Sequence, residues 1–261
     1  MKKTFITTML ILFTFISASN INADDFSDAI VKAKKKLKEA SDKNDGKAML
    51  KARGDFERIL QLKKNEWLVN YYLASCDFWY TYTIMNYEDQ SKTDMKQVQK
   101  YTESSINLLN KCTDAKEDFA EAWGLKLGVN SNRWMYEMDK MNDIIAKLSE
   151  ATDMCKKYEP ENPRYLLIEG INTYYTPESF GGGVDKALPI LEKSFKSFET
   201  FKPKDETYPD WGMESCAGMI ALCYHKQDKK DEAKKWLDKA LELNPDSGFL
   251  KNYIQKEIEK K

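Results

Sequence analysis

The chain has a single histidine, His225, among 261 residues, and that scarcity removes much of enzyme chemistry. A hydrolytic triad needs a nucleophile beside a positioned base, most often histidine. The five cysteines, Cys76, Cys112, Cys155, Cys216 and Cys223, contain no CxxC pair, so a cysteine–histidine zinc site has no ligand spacing to start from. Cys216 and Cys223 lie on one expected helix, roughly 10 Å apart along its axis, beyond disulfide reach. An odd count in an exported chain leaves at least one thiol unpaired, and all five read as small apolar residues inside helix contacts. No GxSxG, HExxH, DxDxDG or GxxxxGK[ST] pattern occurs. The expectation is no enzyme, no cofactor and no metal.

Charge of one sign is missing as well. With 41 basic and 42 acidic residues the net charge is −1, which leaves no electrostatic case for nucleic acid. Glycine and proline are few, at 11 and 7, and β-branched runs are rare. Aromatics at 12% argue against disorder and for a packed fold. This is the composition of an all-α protein. Its carboxylates are interleaved with lysines at helical spacing, as in "DKKDEAKKWLDKALE", a solvated face of i,i+4 pairs and not a catalytic dyad.

One long apolar run exists, from about residue 5 to 18, preceded by Met1-Lys2-Lys3. That is the layout of a secretory signal, too short for a spanning helix. Ala23, before Asp24-Asp25, is the expected cleavage point and Ala18 its rival. The absence of a nearby cysteine argues against lipid anchoring. Residues 1–23 are therefore expected to be a signal peptide. The mature chain, 24–261, is expected to be periplasmic or secreted and not an integral membrane protein.

After Met213 a clear register emerges. Ala217, Ile220, Ala221 and Tyr224 share one helical face; Ala233, Leu237 and Ala240 share the face of the next helix, which Pro245 ends. Small residues let two antiparallel helices approach while Tyr224 and Leu237 fill the gaps. The spacing resembles the tetratricopeptide repeat, a helix–turn–helix unit of about 34 residues. Ala217 stands where that family often has tryptophan.

The resemblance implies stacked antiparallel helix pairs in a superhelical array of four to five pairs. The boundaries are an N-terminal pair at 24–64, repeat-like units at 65–115, 117–160, 161–203 and 210–246, and a capping helix at 247–261. Arrays need such polar end elements because each unit buries its apolar face on a neighbour. Arg53-Gly54-Asp55 spells an adhesion tripeptide but falls inside an expected helix.

The stretch "TPESFGGGVDKALP" breaks the pattern. The step from Gly170 to Ala187 is about five residues longer than the matching step from Ala221 to Ala233. Pro177 stops the preceding helix near Tyr175, Gly181, Gly182 and Gly183 make a turn, and Asp185 is suited to cap a helix starting at Lys186. Pro189 would then lie near the end of its first turn. No hydroxyl follows the lysine, so this is not a phosphate loop. Phe180, its one large apolar side chain, is expected to tuck against the helices.

In tetratricopeptide arrays the first helices line a concave face that holds a peptide or ligand. By the registers above, that resemblance implies Tyr71, Phe78, Arg164, Tyr174 and His225 as candidate contacts. The segment around "NPRYLLIEGINTYYTPESFGGG" is also similar to exported bacterial proteins of this family and, more distantly, to the tetratricopeptide component of TRAP-type transporters. The expected partner is a protein or peptide; the alternative is a small apolar or organic-acid ligand in a solute-transport setting.

Overall fold

In the computed structural model, which describes residues 23–86 and 89–260, the chain runs as five consecutive helix pairs and a closing helix. The pairs are α1 (Ala23–Asp42) with α2 (Gly46–Leu60), α3 (Glu66–Ile84) with α4 (Met95–Ala115), and α5 (Ala120–Ser131) with α6 (Met141–Tyr158). Then follow α7 (Pro163–Tyr175) with α8 (Val184–Thr200) and α9 (Met213–Lys226) with α10 (Lys230–Leu243). A π-helical turn, Leu250–Ile254, leads into α11 (Gln255–Glu259). Among the described residues there is no strand, so the fold is the all-α repeat array that the helix pattern implies. Most of the expected signal segment lies outside the described residues. No helix among them is long and apolar enough to cross a membrane.

Short polar caps set several starts. Asp45 accepts from the Ala48 amide at 3.0 Å, and Asp94 from the Gln97 amide at 3.1 Å. Asn162 accepts from both Arg164 and Tyr165 amides, at 3.0 and 3.1 Å, with Pro163 in the first turn where its missing N–H is harmless.

The two helices of a pair differ in kind. Second helices bury one stripe, as α10 does with Ala233, Leu237 and Ala240, or α6 with Ile144, Ala151 and Cys155. Three first helices are buried nearly all round: Leu68 to Phe78 in α3, Ala120 to Asn130 in α5 and Cys216 to Cys223 in α9 are continuous buried runs, whereas α1 buries the stripe Phe26, Ile30, Ala33, Leu37 and Ala40. An element buried on every side loses its amphipathic stripe. The first helices thus form an inner layer, with their partners outside and something else covering the inner face. Within α7–α8, Gly170 makes the close approach possible, since a Cβ there would lie 2.6 Å from Leu191 Cδ2.

The two ends of the array also meet. Asn244, just after α10, donates from Nδ2 to Asp42 Oδ1 at the end of α1 at 2.8 Å. Gly248 passes so close that an added Cβ would sit 2.9 Å from the Asp42 carbonyl oxygen.

Candidate recognition surfaces

The inner layer is covered by the chain itself. Residues 201–212, which join α8 to α9, cross the faces of α1, α3 and α7. Lys34 of α1 donates to the Glu206 and Tyr208 carbonyls at 2.7 and 2.5 Å and pairs with Asp210 at 3.2 Å. From α3, Tyr72 donates its hydroxyl to the Thr207 carbonyl at 2.5 Å, while Tyr71 accepts from Trp211 Nε1 at 3.1 Å. Tyr208 packs edge-on against Trp67 and Phe119, and Trp211 against Trp79. Asp205 keeps this connector in shape by accepting from the Thr207 amide and hydroxyl.

Beneath the connector lies a buried ion pair. Arg164 of α7 donates through Nε and Nη2 to the Glu121 carboxylate of α5, at 2.6 and 2.5 Å, and Asn162 adds a donor to the same group at 2.9 Å. Nη1 reaches the Trp211 carbonyl at 3.4 Å, and the guanidinium lies 4.5 Å over the Phe201 ring. Burial alone would lower the arginine pKa, but the Glu121 charge and hydrogen bonds raise it above its usual value. Tyr71 is pushed well above the usual phenol range by the same loss of solvent.

The expected contact residues divide accordingly. Tyr71, Phe78 and Arg164 are buried, at 0%, 3% and 2% exposure, so none of them offers a surface to a partner in this conformation. Tyr71 and Arg164 hold the connector, and Phe78 packs with Trp79 and Tyr82. Tyr174 and His225 remain half-buried near the ends of α7 and α9. Tyr208 falls between two expected units and Trp211 at the edge of one, and the repeat register gives neither a role. The signal available for them was a connector carrying two large aromatics between Pro203 and Gly212, which a solvated loop does not need.

The glycine stretch departs from expectation in three ways. Phe180 is 81% exposed, not tucked against the helices. The loop closes through its backbone instead: the Gly183 amide donates to the Thr173 carbonyl at 2.9 Å and the Gly182 amide to the Pro177 carbonyl at 3.2 Å. That tight closure, after the 3₁₀ turn Glu178–Phe180, needs no side-chain anchor. The helix begins at Val184, not Lys186, with Gly183 as its cap at φ +99°, and Asp185 instead accepts from Gln227 Nε2 at 2.8 Å. Pro189 consequently lies inside α8, beyond its first turn.

Other large aromatics are exposed as well. Tyr175 is 55% and Phe249 38% exposed; the Tyr175 and Tyr253 hydroxyls lie 2.6 Å apart, and Phe249 stacks on Tyr253 with centroids 5.7 Å apart. These rings join the end of α7 to the π turn before α11, and Phe180 projects from the loop that follows the same α7 end.

Other sequence signals resolve simply. All five cysteines are free and buried. Arg53 pairs with buried Asp77 at 2.6 Å, and Gly54 is interior to α2, so the adhesion tripeptide is a helical accident. Among the described residues no group of three or more His, Cys, Asp or Glu could hold a metal ion.

These observations define the class: an all-α array of stacked antiparallel helix pairs, its inner face lined by the first helix of each pair. Residues 218–247 match the model of the tetratricopeptide repeat, on the unit whose register is clearest in the sequence. Two solved structures share the fold. The HusA haemophore from Porphyromonas gingivalis superposes with a TM-score of 0.64 at 22% identity, over 77% of this chain and 94% of that one. A thermophilic TPR protein of Thermus thermophilus, TTC0263, gives 0.59 at 14% identity, over 88% and 97%. No curated protein matches the chain.

Proposed function

We propose that the chain is an exported, non-catalytic binding protein that holds a protein or peptide partner on the aromatic face of Tyr175, Phe180, Phe249 and Tyr253. The observation that carries this reading is the division of the array. The connector 201–212 occupies the inner face from α1 to α7, while large aromatics stay exposed where α7 ends and just before the π turn that leads into α11. Exposed aromatics clustered in this way are what interface anchors look like. A binding role without chemistry is supported by Glu121 being committed to Arg164 and by thiols that burial keeps protonated.

The test is affinity enrichment from the exported fraction with the wild type and with the Tyr175→Ser, Phe180→Ser, Phe249→Ser variant. Exposed substitutions of this kind change stability by only about 0.5 kcal/mol each, so the fold stays intact. A partner lost with unchanged circular dichroism supports the surface; a partner retained moves it elsewhere. Export itself is read from the N-terminal residue of the mature chain, and an intact Met1 in the exported fraction overturns it.

A second reading follows from the same face. Stacked and edge-on rings also suit a flat aromatic ligand, and one structural neighbour is a haemophore. Titration with haemin, followed in the Soret band, separates the two. A saturable shift abolished by the triple variant favours a porphyrin ligand, and no shift leaves the partner proteinaceous.

A further inference from the structure

The connector between α8 and α9 is bound to the inner layer as a ligand would be. Four of its carbonyls accept from side chains of the layer: those of Glu206 and Tyr208 from Lys34, that of Thr207 from Tyr72, and that of Trp211 from Arg164. Among the described residues, no amide of the connector bonds to the backbone of α1, α3, α5 or α7. Carbonyl acceptors are common to every peptide, so these contacts grip a backbone and not a sequence. Sequence enters through three side chains. Tyr208 meets Trp67 and Phe119 edge-on, Trp211 meets Trp79 and donates to the Tyr71 hydroxyl, and Asp210 pairs with Lys34.

Little of this segment is buried. Lys202 to Glu206 and Asp210 are exposed, Phe201, Tyr208 and Trp211 are half-buried, and only Thr207, Pro209 and Gly212 are buried. A hollow of about 300 Å³ remains between it and α1, with Lys34, Lys35 and Lys38 on one wall and Asp205, Glu206 and Asp210 on the other. The bound shape is also local. Asp205 accepts from the Thr207 amide and hydroxyl, and its carbonyl accepts from the Tyr208 amide at 3.2 Å. Gly212, at φ +111°, joins the segment to α9 through a residue that adopts such backbone angles freely.

We propose that residues 201–212 are a built-in occupant of a peptide groove, displaced by a partner segment of like chemistry. That segment is acidic, forms an aspartate-closed turn, and carries two aromatic residues three positions apart, as Tyr208 and Trp211 are here. The lysines of α1 favour an acidic chain and make its capture sensitive to salt. Tethered at both ends, the connector competes at an effective concentration on the order of millimolar. A free segment therefore enters only at high local concentration or where the strap is weakened. None of these contacts involves Tyr175, Phe180, Phe249 or Tyr253, so the groove and the exposed aromatics are tested separately.

The probe is a fluorescein-labelled peptide of residues 203–212, PKDETYPDWG, titrated with the full chain and followed by anisotropy. Tyr208→Ala with Trp211→Ala loosens the strap and leaves the groove. This double variant is expected to bind the peptide about a hundredfold more tightly than the wild type, the factor for a groove open in about one molecule in a hundred. Adding Lys34→Met should weaken that binding by about tenfold, as loss of a charged donor does, and alanine at both ring positions of the peptide should abolish it. A second measurement needs no variant. At millimolar concentration, the peptide with benzoylphenylalanine in place of its tyrosine should photo-cross-link to the wild type around Trp67 and Phe119. Equal affinity for wild type and a folded double variant, cross-links confined to other surfaces, or no binding to either protein at millimolar peptide overturns the proposal.

Discussion

Glu121 and Arg164 are charges in a place where a charge alone is costly, at 4% and 2% exposure. Each is tolerated because the other, with Asn162 and the Trp211 carbonyl, satisfies it. Glu121→Ala leaves an unpaired buried guanidinium and is expected to cost about 3–5 kcal/mol, whereas exchanging both for apolar residues of similar volume should recover most of that loss. Chemical denaturation of the single and double variants checks the asymmetry; equal destabilisation would mean the pair acts through packing alone. The cysteines give a second prediction at this scale. Thiols buried and shifted up to about 12, as at Cys112, Cys216 and Cys223, form no thiolate near neutrality. Ellman's reagent should therefore leave the native chain unlabelled and titrate five thiols once it is unfolded.

At the scale of elements, the glycine loop shows two different reasons for glycine. Gly182 has no room: an added Cβ would meet the Thr176 carbonyl oxygen at 2.2 Å and the Thr173 carbonyl oxygen at 2.7 Å. Gly181 has room, with its nearest neighbour at 3.9 Å, but sits at φ +88°. Gly182→Ala must push the α7 end away from α8 and is expected to cost about 3 kcal/mol. Gly181→Ala keeps the loop and costs about 1–2 kcal/mol of backbone strain. Thermal melts of the two variants should rank in that order. Helix pairing was legible in the sequence because Ala233, Leu237 and Ala240 repeat with a helical period that burial imposes. The connector was not, since Tyr208 and Trp211 lie in irregular backbone where no period marks a buried face. For the same reason Phe180 misled: apolarity points inward only when packing, and not a backbone hydrogen bond, closes the turn. The candidate contacts followed a similar course, as Tyr71 and Arg164 do line the inner face but are spent on the connector.

For the whole molecule, the consequence is a change in how stability is shared. An open repeat array is held by nearest neighbours, so its ends can loosen independently. Here the connector bonds to α1, α3 and α7 at once, and Asn244 reaches Asp42 across 202 positions of sequence. Lys34 is the outermost of these ties, with its side chain 10% exposed and three oxygens around it. Lys34→Met preserves the apolar stem and removes only those polar contacts. The expected loss is about 1.5–3 kcal/mol, the range for hydrogen bonds to a charged group. Its distribution is the sharper test. Amide exchange should accelerate along 203–210 and at the inner face of α1, while α9 and α10, which pack on each other and on α8, keep their protection. Exchange that rises equally in every helix would mean that the array melts as one body, with Lys34 no closer to the connector energetically than to the far end. Exchange confined to the connector would show that closure, though visible in the contacts, carries little of the stability of the first pair.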